Sequence, residues 1–181
     1  NEYFEVNNEY KIIKDLIAIS NPESSKSTIF VFPEGALAGT NLDLLKNHRK
    51  IFEKEFSDNH ILILGINNKE ILNNDLKIYN SMVVLDNKLN LLYEYKKNKL
   101  VPFGEFLPFE NFFKKFGLKK ITQGYQSFSK DNERNIININ NINFVPLICY
   151  EIIYSGKINK TNNDFDLILN ISEDGWFGNS V

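Results

Sequence analysis

Three side chains of reactive type each follow an apolar stretch of the sequence. Glu34 stands shortly after Thr28–Phe32, Lys97 follows a run that ends at Tyr95, and Cys149, the sole cysteine, ends a run with Ile148. Short apolar runs rich in β-branched residues predict buried strands, and residues at strand ends lie where a sheet opens into a crevice. The sequence therefore predicts a carboxylate, an ammonium and a thiol at such strand ends.

Together these three groups could perform nucleophilic acyl transfer. The carboxylate of Glu34 would take the proton of the Cys149 thiol as a general base. An unperturbed thiol, with a pKa of about 8.5, is a slow nucleophile at neutral pH. We therefore expect the Lys97 ammonium to lower the pKa of the thiol and to stabilise an oxyanion. Each residue alone also fits a structural role, since a lone cysteine on an apolar strand is usually a small core residue.

The elements that must position these residues form an α/β pattern. We predict one domain, without internal repeats, that is a sandwich rather than a simple alternation of strands and helices. The predicted helices are Asn8–Ser20 and Leu42–Phe56. The predicted strands are Thr28–Phe32, Ile61–Ile66, Ile78–Leu85, Leu89–Tyr95, Asn135–Ile139, Ile142–Ile148 and Asp166–Ile171, with a polar turn at Asn67–Leu76 and a polar loop after the cysteine.

Composition excludes several other classes of function. A formal net charge of −2 over 181 residues gives no support for a nucleic-acid partner. The two histidines lack the spacing of metal ligands, so no metal site is predicted, and no glycine-rich phosphate loop follows a strand. No apolar run is long enough to cross a bilayer. The sequence lacks a starting methionine, and we expect it to be a piece of a longer protein.

Sequence motifs around the three reactive residues resemble those of a known superfamily. Pro33-Glu34, then Tyr95–Leu100, then Cys149-Tyr150-Glu151 resemble the Glu-Lys-Cys triad motifs of the nitrilase (carbon–nitrogen hydrolase) superfamily. The resemblance implies a nitrilase-like α-β-β-α sandwich over residues 1–181, incomplete at both ends. It implies that Glu34 is the general base, Lys97 the catalytic lysine and Cys149 the nucleophile. Lys97 is chosen over its lysine neighbours because it stands third in a Tyr-x-Lys-x-x-Leu pattern.

Two further stretches resemble the apolipoprotein N-acyltransferase family, Leu100–Pro108 and Ser172–Ser180. The resemblance implies transfer of an acyl chain from a phospholipid to the diacylglyceryl-cysteine of an apolipoprotein. It implies no cofactor, a membrane surface as partner, and a catalytic domain on the periplasmic side of the bacterial inner membrane. Glu105 matches a second carboxylate near the triad. The residues matched to the substrate crevice are Phe103, Gly104, Tyr150, Glu151, Trp176 and Phe177. This chain has Lys99 where the family often has histidine, and Glu173 where it usually has asparagine.

Two other functions remain open from the sequence. The same triad would support a soluble nitrilase-type amidase, and a non-catalytic binding domain is a third interpretation. A separate hypothesis concerns a phenylalanine stripe at helical spacing, which suits either a core face or a lid helix on an anionic lipid surface. The stripe and its lysines are Phe109, Phe112, Phe113, Phe116, Lys114, Lys115, Lys119 and Lys120.

Overall fold

A computed structural model describes most of the chain. It covers residues 9–37, 39–72, 74–102, 104–106, 127–160 and 164–173, without the side chains of 155–160. The described residues form three layers, in which helices pack on a four-stranded sheet and that sheet packs on a three-stranded sheet. The phenylalanine stripe and its lysines lie outside the described residues.

The four-stranded sheet has the strand order β1-β2-β3-β4. β1 pairs with β2 in parallel, and the other neighbours are antiparallel. The strands are β1 (Thr28–Val31), β2 (His60–Leu72), β3 (Asp75–Leu85) and β4 (Leu91–Lys96). Because successive side chains of a strand face opposite sides, β3 sends Val83 and Leu85 to the helices and Met82 and Val84 to the second sheet.

Three helices cover the outer face of this sheet. They are α1 (Glu9–Ser20), α2 (Leu42–Lys46) and α3 (Arg49–Glu55). Asn41 caps α2, since its side-chain oxygen accepts from the backbone N–H groups of Asp43 and Leu44 at 3.0 Å each. Their buried faces form one apolar core with β1–β3, and Phe32 and Leu37, on either side of Glu34 in the sequence, belong to the same core.

The three-stranded sheet has the order β5-β6-β7. Its strands are β5 (Ile137–Ile139), β6 (Ile142–Ile148) and β7 (Leu167–Ile171), and β6 pairs with β7 in parallel. Its inner face forms a second core with β2–β4. A helical segment of 3₁₀ type, Cys149–Lys160, follows β6 directly.

Three sequence-based predictions of local structure are wrong. The stretch predicted as a turn, Asn67–Leu76, is paired strand almost throughout, and Leu72 lies opposite Asp75. The short turn between them includes Asn74 with φ 66, a conformation that asparagine tolerates better than other non-glycine residues. The single helix Leu42–Phe56 is two helices, and the loop after the cysteine is helical. Asparagine-rich composition hid the long hairpin because it resembles that of a loop.

Candidate active site

Cys149 lies at the junction of β6 and the 3₁₀ helix. Its backbone has φ 53, in the left-handed region that non-glycine residues rarely adopt. Such a conformation costs about 1–3 kcal/mol and is concentrated at functional sites. The turn projects a half-buried thiol from the end of the inter-sheet core, where it receives a hydrogen bond from the Tyr150 backbone N–H and interacts by hydrogen bonding with Glu34.

Glu34 reaches the site because its backbone crosses the inner face of β2. The crossing point is Gly65, where a Cβ atom would meet the Glu34 Cα at 2.9 Å and the Ile171 Cδ1 at 3.2 Å. Only glycine at this position allows the Glu34 backbone to approach β2 this closely. The Phe32 backbone N–H, which donates to the Ile63 carbonyl at 2.8 Å, holds the chain just before this crossing.

Lys97 and Asn80 lie on the same inner face of β3 and β4 as the apolar core, just beyond its last pair of residues. Met82 lies opposite Tyr95 on that face, so the next inner pair along the two strands is Asn80 and Lys97. The Lys97 backbone N–H donates to the Asn80 carbonyl at 2.8 Å. Both side chains are buried, with 1% exposed for Lys97 and 6% for Asn80. The motifs did not identify Asn80. Its inward orientation follows from the alternation of side chains along a strand, because Asn80 is two residues before the inward-facing Met82.

Two carboxylates hold the Lys97 ammonium. Its Nζ lies 2.9 Å from Glu105 Oε1 and 3.6 Å from Glu34 Oε1. The Asn80 amide donates to the same two oxygens, at 2.6 Å for Glu34 and 3.0 Å for Glu105. Glu105 is itself fixed, because its Oε2 accepts from the Val101 backbone N–H at 2.8 Å. The structure thus brings together Glu34, Lys97 and Glu105 around one buried amide.

The charges of the site favour a protonated thiol at rest. Burial and the negative charge of Glu34 raise the pKa of Cys149, and Lys97 only partly offsets them. Lys97 does lower the pKa of the thiol, as expected, but its effect is smaller than the combined effect of burial and Glu34. Burial would lower the pKa of Lys97, but the charges of Glu105 and Glu34 outweigh it and raise that pKa. A permanent ammonium beside a neutral thiol suits removal of the thiol proton by Glu34 during attack.

Glu151 occupies a different place from the one predicted. Its side chain is fully buried rather than lining a crevice. Its carboxylate accepts from the backbone N–H groups of Ile148, Asn98 and Lys99 at 2.8–3.0 Å. Glu151 therefore ties the end of β6 to the loop that follows Lys97.

Two further side chains complete the Glu151 cluster: Tyr95, which begins the Tyr-x-Lys-x-x-Leu pattern, and Arg134, which no motif includes. The Tyr95 hydroxyl donates to the Glu151 carboxylate at 2.9 Å, and Arg134 Nη2 lies 3.1 Å from Glu151 Oε1. Arg134 Nε donates to the Tyr95 hydroxyl at 3.2 Å. Burial and the charge of Glu151 raise the pKa of Tyr95, so the phenol stays a donor. No local sequence pattern pairs positions this far apart.

The remaining predicted binding residues divide into two groups. Tyr150 is exposed beside Cys149, and its ring meets that of Tyr154 edge to face at 5.8 Å. Gly104 lies in the turn that leads into Glu105. Phe103, Trp176 and Phe177 lie outside the described residues.

A cavity of about 400 Å³ is lined in part by residues that lie near Lys97, Glu105 and Cys149 in the sequence. Its wall includes Lys99, which follows the Lys97 loop, and Tyr154 from the turn after Cys149. Aromatic rings of Phe106 and Phe128 line it, and Lys130 stands at its edge. The cavity thus combines apolar surface with cationic side chains, in part on segments that are close in sequence to Lys97, Glu105 and Cys149.

No metal site or membrane-spanning helix is found in the described parts of the chain. Within those parts, no three or more His, Cys, Asp or Glu side chains are grouped so as to hold a metal ion. None of the helices there has the length and apolar character that a bilayer crossing requires.

The sequence from residue 7 to residue 181 matches the family model described as carbon-nitrogen hydrolase. The chain belongs to the carbon-nitrogen hydrolase family. Two solved structures of low sequence identity share its fold. XC1258 of Xanthomonas campestris, a CN-hydrolase superfamily protein, superposes with a TM-score of 0.59 at 14% identity over 91% of this chain and 59% of its own. A mutant amidase from Nesterenkonia sp. AN1 gives 0.54 at 12% identity over 92% and 61%. The nitrilase-like sandwich is confirmed.

Curated relatives of this carbon-nitrogen hydrolase chain carry the name apolipoprotein N-acyltransferase. One from Rhizobium leguminosarum bv. trifolii (strain WSM2304) is 35% identical over 156 residues, which cover 84% of this chain and 29% of that protein. Another from Rickettsia prowazekii (strain Madrid E) is 33% identical over 155 residues, covering 84% and 30%. The chain therefore spans about three tenths of the length of these relatives.

Proposed function

We propose that this chain is the catalytic part of an apolipoprotein N-acyltransferase. The observation that carries the proposal is the meeting of Glu34, Lys97 and Glu105 beside Cys149, in a chain whose relatives bear that name. The donor is a phospholipid, and the acceptor is the amino group of a diacylglyceryl-modified apolipoprotein. The enzyme acts at the periplasmic side of the bacterial inner membrane.

The first half-reaction forms a thioester on Cys149. Glu34 takes the thiol proton as the sulfur bonds to the ester carbonyl carbon of the phospholipid. The Lys97 ammonium and the Tyr150 backbone N–H stabilise the oxyanion that develops. When the ester C–O bond breaks, Glu34 returns the proton to the leaving glycerol oxygen, and lysophospholipid departs.

The second half-reaction moves the acyl chain to the acceptor. The lipoprotein amine attacks the thioester carbonyl carbon and loses a proton to Glu34. The C–S bond then breaks, and Cys149 regains that proton as a thiol. Glu105 keeps the Lys97 ammonium aimed at the oxyanion in both steps, because it holds Nζ at 2.9 Å.

The cavity lined by Lys99, Phe106, Phe128, Lys130 and Tyr154 supports a lipid donor. Its aromatic wall suits an acyl chain, and Lys99 and Lys130 suit an anionic headgroup. Residues 109–120, which the sequence predicts to be a phenylalanine-rich lid, follow Glu105 in the chain. Contact of this lid with lipid is a further part of this proposal. Phe103, Gly104, Tyr150, Trp176 and Phe177 are proposed to line the crevice.

The test uses the full-length protein reconstituted in phospholipid vesicles. We expect transfer of a labelled acyl chain to a diacylglyceryl-cysteine peptide, together with release of lysophospholipid. Without the peptide, mass spectrometry is expected to find the acyl group on the Cys149 peptide. The Cys149→Ala variant should lose both signals. Transfer by that variant would refute the mechanism, and release of ammonia from small amides without acyl transfer would favour an amidase.

A further inference from the structure

The buried Glu151 carboxylate needs a positive charge that the triad does not supply. We propose that Arg134 is a positioning residue, whose guanidinium is the counter-charge of Glu151 and thereby fixes the segments carrying Lys97 and Cys149. The inference rests on the nucleophilic role of Cys149 in the proposed function. It concerns a residue that none of the sequence motifs includes.

Glu151 joins the two reactive segments through backbone hydrogen bonds. It accepts from Asn98 and Lys99, which follow Lys97, and from Ile148, which precedes Cys149. A carboxylate with no exposed surface is costly unless it is both hydrogen-bonded and paired with a cation. Three backbone donors and one phenol satisfy its oxygens, but they carry no net charge. The position of both reactive segments therefore depends on the cation beside Glu151.

Arg134 supplies that cation within the described residues. Its Nη2 lies 3.1 Å from Glu151 Oε1, and its side chain is 19% exposed. Its Nε donates to the Tyr95 hydroxyl at 3.2 Å, so the guanidinium engages the carboxylate both directly and through the phenol. Arginine suits this place because its planar group offers several donors in a fixed geometry.

The backbone that carries Arg134 is itself anchored to the site. Before β5, the N–H of Phe128 donates to the Glu105 carbonyl at 2.9 Å, and the N–H of Asp131 donates to the Lys97 carbonyl at 3.2 Å. This strap of residues 128–134 therefore contacts the segments of Glu105, Lys97 and Glu151 in turn. Arg134 is the residue of this strap that contacts Glu151, whose carboxylate in turn accepts from the Ile148 N–H just before Cys149.

Replacement of Arg134 should slow the chemical step rather than substrate binding. In full-length protein, we expect Arg134→Gln to lower kcat for acyl transfer by about 10- to 100-fold with KM changed less than about 3-fold. Arg134→Lys keeps the charge and should recover most of the loss. The control is Arg49→Gln, which removes an exposed ion pair with Glu53 on α3 and should leave kcat unchanged.

A measurement that bypasses both natural substrates separates this inference from the proposed function. Acylation of Cys149 by p-nitrophenyl butyrate is followed as a burst of p-nitrophenolate, with the acyl group located by mass spectrometry. We expect a burst about 10- to 100-fold slower for Arg134→Gln than for the wild type. If the wild type does not acylate Cys149, the proposed function and this inference fall together. A wild-type burst matched by Arg134→Gln overturns the inference alone.

A double-mutant cycle distinguishes action through Glu151 from a general structural role. If Arg134 acts through that carboxylate, adding Arg134→Gln to Glu151→Gln should slow the burst by less than about 3-fold further. Independent losses that multiply would overturn the inference. If thermal unfolding shows that Arg134→Gln does not fold, the burst rate of Arg134→Lys tests the inference instead. A burst from the lysine variant more than about 10-fold slower than that of the wild type would contradict the role assigned to the charge.

Discussion

Substitution of Gly65 should move the catalytic base without removing any reactive group. In Gly65→Ala the new Cβ would lie 2.9 Å from the Glu34 Cα, whereas carbon atoms in contact lie about 3.5–4.0 Å apart. The Glu34 backbone must therefore shift by about 0.6 Å or more, because the neighbouring atom belongs to the main chain and cannot rotate away. Glu34 Oε1, now 2.6 Å from the Asn80 amide, would lose that alignment.

A displacement of this size is large for catalysis and moderate for folding. Misplacement of a catalytic group by about 1 Å can cost about 100-fold in rate, so we expect kcat/KM to fall by about 10- to 100-fold. Overpacking of this kind lowers the free energy of unfolding by about 1–3 kcal/mol. The assay is acyl transfer by the full-length variant in vesicles, with thermal unfolding measured in parallel.

Gly39→Ala is the control for stability loss alone. Gly39 has φ 87, so alanine is strained there, but a Cβ would meet nothing within 4 Å. We expect this variant to lose stability while its folded fraction keeps the wild-type kcat. If Gly65→Ala retained the wild-type kcat/KM and the wild-type unfolding temperature, that result would contradict the close approach of the Glu34 backbone to β2.

Three further predictions concern the charges of the site. Asn80→Asp replaces a buried donor by a third carboxylate, and we expect kcat/KM to fall by about 100-fold or more; activity within 3-fold of the wild type would contradict the amide's role. Lys97→Met should abolish thioester formation, whereas Lys96→Met, which removes a partly exposed ion pair, should cost less than about 3-fold. In Glu173→Gln the acid limb of kcat/KM should move to lower pH. Burial and the charge of Glu34 raise the pKa of Glu173, so the titration of Glu173 adds to the acid limb of the wild type and is absent from the variant. An unmoved limb would refute this.

Local pattern was sufficient for the core strands but not for their full extent. The apolar runs before Glu34, Lys97 and Cys149 predicted β1, β4 and β6 close to their observed positions, since burial and β-branching act within a few residues. The long arms of β2 and β3 could not be predicted, because the backbone of each arm pairs with the other arm across the hairpin. Cross-strand pairing is a long-range property that composition does not record.

The same limit explains which site residues the sequence revealed. Three reactive side chain types at strand ends, in a familiar order, indicated the triad positions. Asn80 and Arg134 carry no motif, and their importance follows from registers that place them against Glu34 and Glu151. Glu151 was predicted in the right neighbourhood but with the wrong orientation, because exposure depends on what the rest of the chain places around it.

In the proposed mechanism, the arrangement of charge explains why a thiol with a raised pKa can still be the nucleophile. Glu34 and Glu105 bring two negative charges to one ammonium, so a resting thiolate would add a third negative charge to a partly buried site. The proposed attack would avoid this, because the thiol proton would move to Glu34 as the carbon–sulfur bond forms and the negative charge would pass to the substrate oxygen. Lys97 is then most useful beside the oxyanion rather than beside the sulfur. In this mechanism the two carboxylates have different roles: Glu34 receives the proton, and Glu105 holds the Lys97 ammonium in place.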